Sequence, residues 1–230
     1  LHFFSVDYVG SYAATALLAF IALPLLFFVP LTPRSQGASL PAFSFRSINF
    51  HAFCAMLFCT SGYAMMGMVM IASPLAMSGC GYHPHDAASV IQWHLLGMFA
   101  PSLITGKMIA RFGAQKIALM GVVILLTGCA LALLGTNLNV FHFSLLTVGI
   151  GWNLMYMGGS TLLAQIADPG LRSRLQSINE FVTFACITLI SGLTGWLYES
   201  LGWQAIIYIA VTLLLTVMAT ILMGQYRHSR

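Results

Sequence analysis

The sequence predicts an all-α integral membrane protein with seven transmembrane helices, and three observations carry that reading. Of its 230 residues, 59% are hydrophobic and 6% charged, whereas a soluble domain carries roughly 25% charged residues. So few charges cannot wet a protein surface, and lipid is the physical alternative. Soluble, disordered and nucleic-acid-binding classes are thereby excluded. Second, seven stretches come near the roughly 20 apolar residues that cross a hydrocarbon core. Third, the basic residues fall on one side of those stretches only.

In chain order the stretches are 8–29, 49–70, 88–110, 117–134, 141–166, 181–198 and 203–223. None shows the alternation of a barrel strand, and helices are the remaining way to satisfy the backbone in lipid. The first is a full-length span rather than a secretion signal, with no basic flank or small-residue cleavage site. No initiator Met precedes it, so further spans are expected upstream of this sequence. It is followed by a Pro-, Gly- and Ser-containing segment, 31–47, which is the best linker candidate. This divides the chain into 1–30, a helix belonging to an N-terminal bundle; 31–47, a cytoplasmic linker; and 48–230, a six-helix bundle. The third stretch contains Pro101, which should kink it. Glycines recur through the spans (Gly62, Gly67, Gly97, Gly149, Gly151, Gly158, Gly159, Gly192 and Gly195), as close helix packing in lipid requires.

Orientation follows from charge. All 9 Lys and Arg lie after the first, third, fifth and seventh stretches: Arg34 and Arg46; Lys107, Arg111 and Lys116; Arg172 and Arg174; Arg227 and Arg230. The connections 72–87, 135–140 and 199–202 have none. By the positive-inside rule the basic side and the C-terminus are cytoplasmic, which implies the plasma membrane, in bacteria the inner one. The net charge of +4 therefore reflects topology and gives no argument for nucleic acid. Of the five cysteines, Cys54, Cys59, Cys129 and Cys186 lie in spans and Cys80 in an external loop. No metal-ligand spacing appears; His83, His85 and Asp86 form only a weak cluster.

The most specific segment is 106–116, Gly-Lys-Met-Ile-Ala-Arg-Phe-Gly-Ala-Gln-Lys. It resembles the loop motif of the major facilitator superfamily, roughly G-x-L-A-D-R-x-G-R-[RK]-[RK]. Gly106, Arg111, Gly113 and Lys116 match; Ala110 replaces the usual Asp, and Ala114 and Gln115 replace basic residues. Such a decayed copy resembles the second one, between helices eight and nine, so the seven stretches resemble helices 6–12 of a twelve-helix fold. The run Trp93–Ser102 resembles a bacterial subgroup that has riboflavin transporters among its members. The resemblance implies alternating access between two six-helix bundles, a small organic solute, and a proton as coupling ion. It implies no cofactor, and the other half of the fold as partner. Glu180, at the start of the sixth stretch, is expected to supply the missing carboxylate of a cytoplasmic latch by pairing with Arg111 or Arg172 in the outward-facing state; a helix N-terminal Glu stabilised by the dipole is the plainer reading.

Candidate solute residues are few. His94 shares a helix face with Gly97, Met98 and Pro101, and either meets solute or bonds a neighbouring helix. Trp152 and Tyr156 lie four apart on the fifth stretch, suited to a flat ligand, with Asn153 offering both donor and acceptor; core packing is the alternative. Tyr63, with Thr60, Ser61 and a Met-rich run 65–70, adds the second stretch. Two other classes compete with transport. A seven-helix receptor or assembly protein is suggested by the count, yet no span holds a Lys for retinal. An intramembrane enzyme would need paired catalytic residues, and none are seen.

Overall fold

A computed structural model describes residues 9–28, 48–166 and 168–228. Among them every regular element is helical: α1 Val9–Ala22, a 3-10 turn Leu23–Phe28, α2 Phe50–Gly79, α3 Pro84–Phe99, α4 Ser102–Phe112, α5 Ala114–Ala132, α6 Leu138–Ala164 and α7 Pro169–His228. Contacts divide the chain into two units, Leu1–Pro41 and Ala42–Arg230. The expected linker 31–47 lies outside the described residues.

Among the described residues five helices are long and apolar enough to cross a membrane, where seven stretches were expected, for two reasons. The first stretch gives only α1, because Pro24 has no N–H to continue the ladder and the chain tightens into the 3-10 turn. The sixth and seventh stretches form one element, α7, broken at Gly202, whose φ of 79° and ψ of 176° are non-helical. That left-handed φ suits glycine, and a Cβ there would meet nothing within 4 Å, so conformation rather than space selects the residue. The chain reverses at this break. Thr183 and Tyr198, on the first limb, meet Thr60 and Gly79 of α2, whereas Gly224, on the second, lies back against Phe50 at the start of α2.

Other boundaries shift for identifiable reasons. Helix α2 runs on through Pro74 to Gly79 and takes in the first part of the expected external loop. Asp168 caps α7: its carboxylate accepts from the Leu171 N–H at 2.6 Å and its carbonyl from the Arg172 N–H at 2.9 Å. Helix α7 therefore begins well before the apolar run and carries Arg172 and Arg174 in its first turns. Pro101 does interrupt the third stretch, dividing α3 from α4. His83 and Asp86 form a capping box that starts α3, with the His83 N–H donating to Asp86 Oδ2 at 3.1 Å.

Helix α6 is the hub of the larger unit. A Cβ added at Gly149 would lie 3.0 Å from the Met98 nitrogen of α3, and one at Gly151 2.6 Å from the Leu125 nitrogen of α5. One at Gly158 would lie 2.7 Å from the Ala114 carbonyl of α5, and one at Gly159 3.0 Å from the Ala55 carbonyl of α2. Four glycines thus let three helices approach α6 at backbone distance. A Cβ at Gly192 or Gly195 would meet nothing within 4 Å, so these two glycines are not packing contacts among the described residues. Ala52, Ala55, Leu163 and Leu175 close one end of the bundle, which brings together the start of α2, the end of α6 and the start of α7. Lys116, Arg172 and Arg174 sit on helix starts at that same end.

Two substitutions test this packing. Gly151→Val should destabilise the protein by about 1–3 kcal/mol, the usual cost of overpacking, because the neighbouring atoms are backbone. Gly106→Ala, on α4 with open space around it, should be neutral or stabilising by up to about 1 kcal/mol. Thermal unfolding in detergent, followed by fluorescence, checks both.

Candidate solute site

Tyr63 of α2 and Trp152 and Tyr156 of α6 come together as the spacing suggested. Trp152 and Tyr156 stack with ring centroids 5.3 Å apart and planes at 5°, as residues one helical turn apart can. Tyr63 stands edge-on to both, 5.0 Å from each centroid. Such offset and edge-to-face pairs add about 0.5–1.5 kcal/mol beyond area burial. Phe184 of α7 extends the cluster, 6.0 Å from Tyr63. The Tyr156 hydroxyl donates to Glu180 Oε1 at 3.3 Å, and Thr60 and Thr183 hydroxyls bond across α2 and α7 at 3.1 Å.

His94 and Asn153 are held elsewhere. His94 is fully buried at the α3–α6 contact, with Nδ1 bonded to the Leu145 carbonyl at 2.8 Å. Gly97 and Met98 share its buried face, as the helical spacing predicted. Asn153 is buried against the Pro101 break. Its Nδ2 donates to the Met98 carbonyl at 2.8 Å and to Ser102 Oγ at 2.7 Å, and its Oδ1 accepts from Thr105 at 2.8 Å. The proline leaves this turn without its regular ladder, and Asn153 supplies bonds across the gap. Both ends of the amide are therefore taken up within the protein. The Met-rich run packs as core, with Met65, Met66 and Met68 buried.

The loop segment forms the α4–α5 turn. Gly113 has φ 89° with nothing near a Cβ, so the motif's second glycine is a conformational requirement. Arg111 and Lys116 are exposed, with the Arg111 guanidinium 5.2 Å over the Phe112 ring. Glu180 does not start its helix but lies about three turns inside it. In this conformation its partner is Tyr156, rather than Arg111 or Arg172.

Phe184 and Thr183 escape sequence reasoning. Once α7 is started at Pro169, Glu180, Thr183 and Phe184 fall on one face by i, i+3, i+4 spacing. Glu180 and Phe184 also border an open groove along α7 of about 580 Å³, within the range of small-molecule sites.

Long apolar helices, basic residues gathered at one end and a ring cluster shared by α2 and α6 beside a carboxylate on α7 are the features of a helical membrane protein of the transporter class. Residues 53–229, well over half of the chain, match the Major Facilitator Superfamily, and the chain belongs to that superfamily. It is 34% identical over 94% of its length to the riboflavin transporter of Brucella anthropi, covering 56% of that protein. It is 28% identical over 57% of its length to the uncharacterised MFS-type transporter YddS of Bacillus subtilis, covering 29% of it. A tetracycline resistance determinant of Streptomyces rimosus is 29% identical over 81% of the chain, which covers 53% of that protein. The chain thus spans about half the length, or less, of these curated relatives. The resemblance read from the loop motif is borne out at the level of the superfamily, and the subgroup resemblance is matched by the riboflavin transporter.

The role of Asn153 gives a test. Asn153→Leu takes the amide donor from the Met98 carbonyl and from Ser102 Oγ and should cost about 1–3 kcal/mol, read as a lower melting temperature in detergent. A melting temperature equal to that of the parent would show that the Pro101 break does not depend on this amide.

Proposed function

We propose that this chain forms one wall of a secondary transporter that carries a small, flat organic solute across the bacterial plasma membrane by alternating access. The observation that carries the reading is the ring cluster of Tyr63, Trp152 and Tyr156, gathered from two helices beside an acidic side chain. Flat faces offered edge-on and stacked suit an aromatic solute, and a bundle joined through glycine contacts suits rigid-body rocking. His94 and Asn153 then serve the wall by holding α3 and α4 to α6.

The arrangement proposed for the whole protein is a twelve-helix one. Residues 1–30 provide the last helix of the N-terminal bundle, 31–47 the cytoplasmic linker, and 48–230 the six-helix C-terminal bundle, with seven crossings in this chain. The basic end, with the 106–116 loop, faces the cytoplasm, and the C-terminus lies there too. A proton is the coupling ion that the superfamily suggests. The remaining helices of the N-terminal bundle would complete the solute path.

The relative from Brucella anthropi makes riboflavin the first solute to try. The intact native gene product, reconstituted in liposomes, should take up riboflavin saturably. Trp152→Leu should weaken apparent affinity about three- to tenfold, the size of an aromatic pair contribution. Unchanged affinity in a well-folded Trp152→Leu protein would remove the ring cluster from the solute path.

A further inference from the structure

Glu180 differs from the other acidic residues described. Asp86 closes the capping box of α3 and Asp168 caps α7. Glu199 lies beside the Gly202 break. Among the described residues Glu180 alone sits well within a helix, roughly 16 Å along α7 from Pro169. It is not spent on capping a helix, and it stands at the edge of the apolar run that begins at Phe181.

The surroundings of this carboxylate say what it would bind. A carboxylate offers about four acceptor sites, and Tyr156 fills one at 3.3 Å, long for an O–H···O bond. Beside it are the flat faces of Tyr63, Tyr156 and Phe184. On the same two helices, α6 and α7, the Trp152 indole N–H and the Asn179 amide oxygen are buried without a partner. Buried polar groups are as a rule hydrogen-bonded, and the indole N–H within the ring cluster is left open. Phe184 is half exposed and Glu180 exposed, so the acidic edge of the cluster is open to an incoming molecule.

We propose that Glu180 is the polar anchor of the solute: its carboxylate accepts hydrogen bonds from N–H or O–H groups of a flat heteroaromatic molecule whose ring packs on the Tyr63–Trp152–Tyr156–Phe184 cluster. This rests on the transport reading and adds to it a specificity-determining residue. An apolar aromatic compound of the same size, with no donor hydrogens, would find the rings and leave the carboxylate unpaired, and so would be rejected. Tyr156 is a positioning residue, since its hydroxyl holds the carboxylate at the ring edge.

Binding separates anchoring from ion coupling when measured without an ion gradient. Riboflavin, the probe, is titrated against the intact native protein in detergent and followed by its fluorescence, with gel filtration to confirm folding. Glu180→Gln, which has the same shape and keeps an acceptor oxygen, should weaken binding about tenfold; Glu180→Leu, which keeps none, should weaken it about a hundredfold. Glu180→Asp should recover part of the loss, and Tyr156→Phe should weaken binding about threefold. Equal binding by the parent, Gln and Leu proteins would overturn the anchor and leave the solute site standing. No binding by the parent would overturn the solute reading and this assignment with it.

Discussion

Lipid tails are as apolar as leucine, so helices inside a membrane gain little from hiding apolar surface against one another. What holds them is close contact, and here that contact is concentrated on α6. Gly149, Gly151, Gly158 and Gly159 turn it toward α3, α5 and α2 at distances that no side chain could occupy. A bond from Ser144 Oγ to the Gly128 carbonyl, at 2.9 Å, ties α6 to α5 in the same region. The directions of every other side chain on α6 follow from those contacts. With the glycines and Asn153 committed to neighbours, Trp152 and Tyr156 are left on the side of α2 and α7.

That division sorts the polar residues into two jobs. Toward α3 and α4 lie Asn153, Thr105 and Ser102, bonded to one another or to backbone around the Pro101 break, and His94, whose Nδ1 bonds the Leu145 carbonyl while its Nε2 is buried without a partner. These bonds let a proline stand inside a membrane helix, because the groups it frees find partners. Toward α2 and α7 lie Tyr63, Trp152, Tyr156, Thr183 and Glu180, where bonds are fewer and longer and some polar atoms stay open.

Much of this is legible in the sequence. Composition and the one-sided basic residues point to the class, the 106–116 segment to the superfamily, and four-residue spacing puts Trp152 beside Tyr156. Pro101 is readable as a break because a missing N–H acts locally. The failures share a cause, which is that charge and apolarity do not by themselves mark helix ends. Helix α7 starts at Pro169 because Asp168 caps it, and backbone capping does not depend on whether the next residues are apolar. A start at Phe181 puts Glu180 at a helix end and hides its alignment with Thr183 and Phe184. The first stretch differs in the other sense: its apolar length is sufficient, yet at Pro24 α1 gives way to a 3-10 turn. Asn153 reads as a ligand group because its partners, on α3 and α4, lie about fifty positions away in the chain.

If the solute rests on the Tyr63–Trp152–Tyr156 cluster, Trp152 reports on it directly. Tryptophan fluorescence of the intact protein should be quenched saturably by riboflavin, and most of that change should vanish in Trp152→Phe, which keeps a ring for packing. The two proteins should still bind with affinities within a few fold of each other, because the phenylalanine retains much of the stacking surface. Quenching of equal size in both would mean that the solute binds away from α6, and would contradict the account.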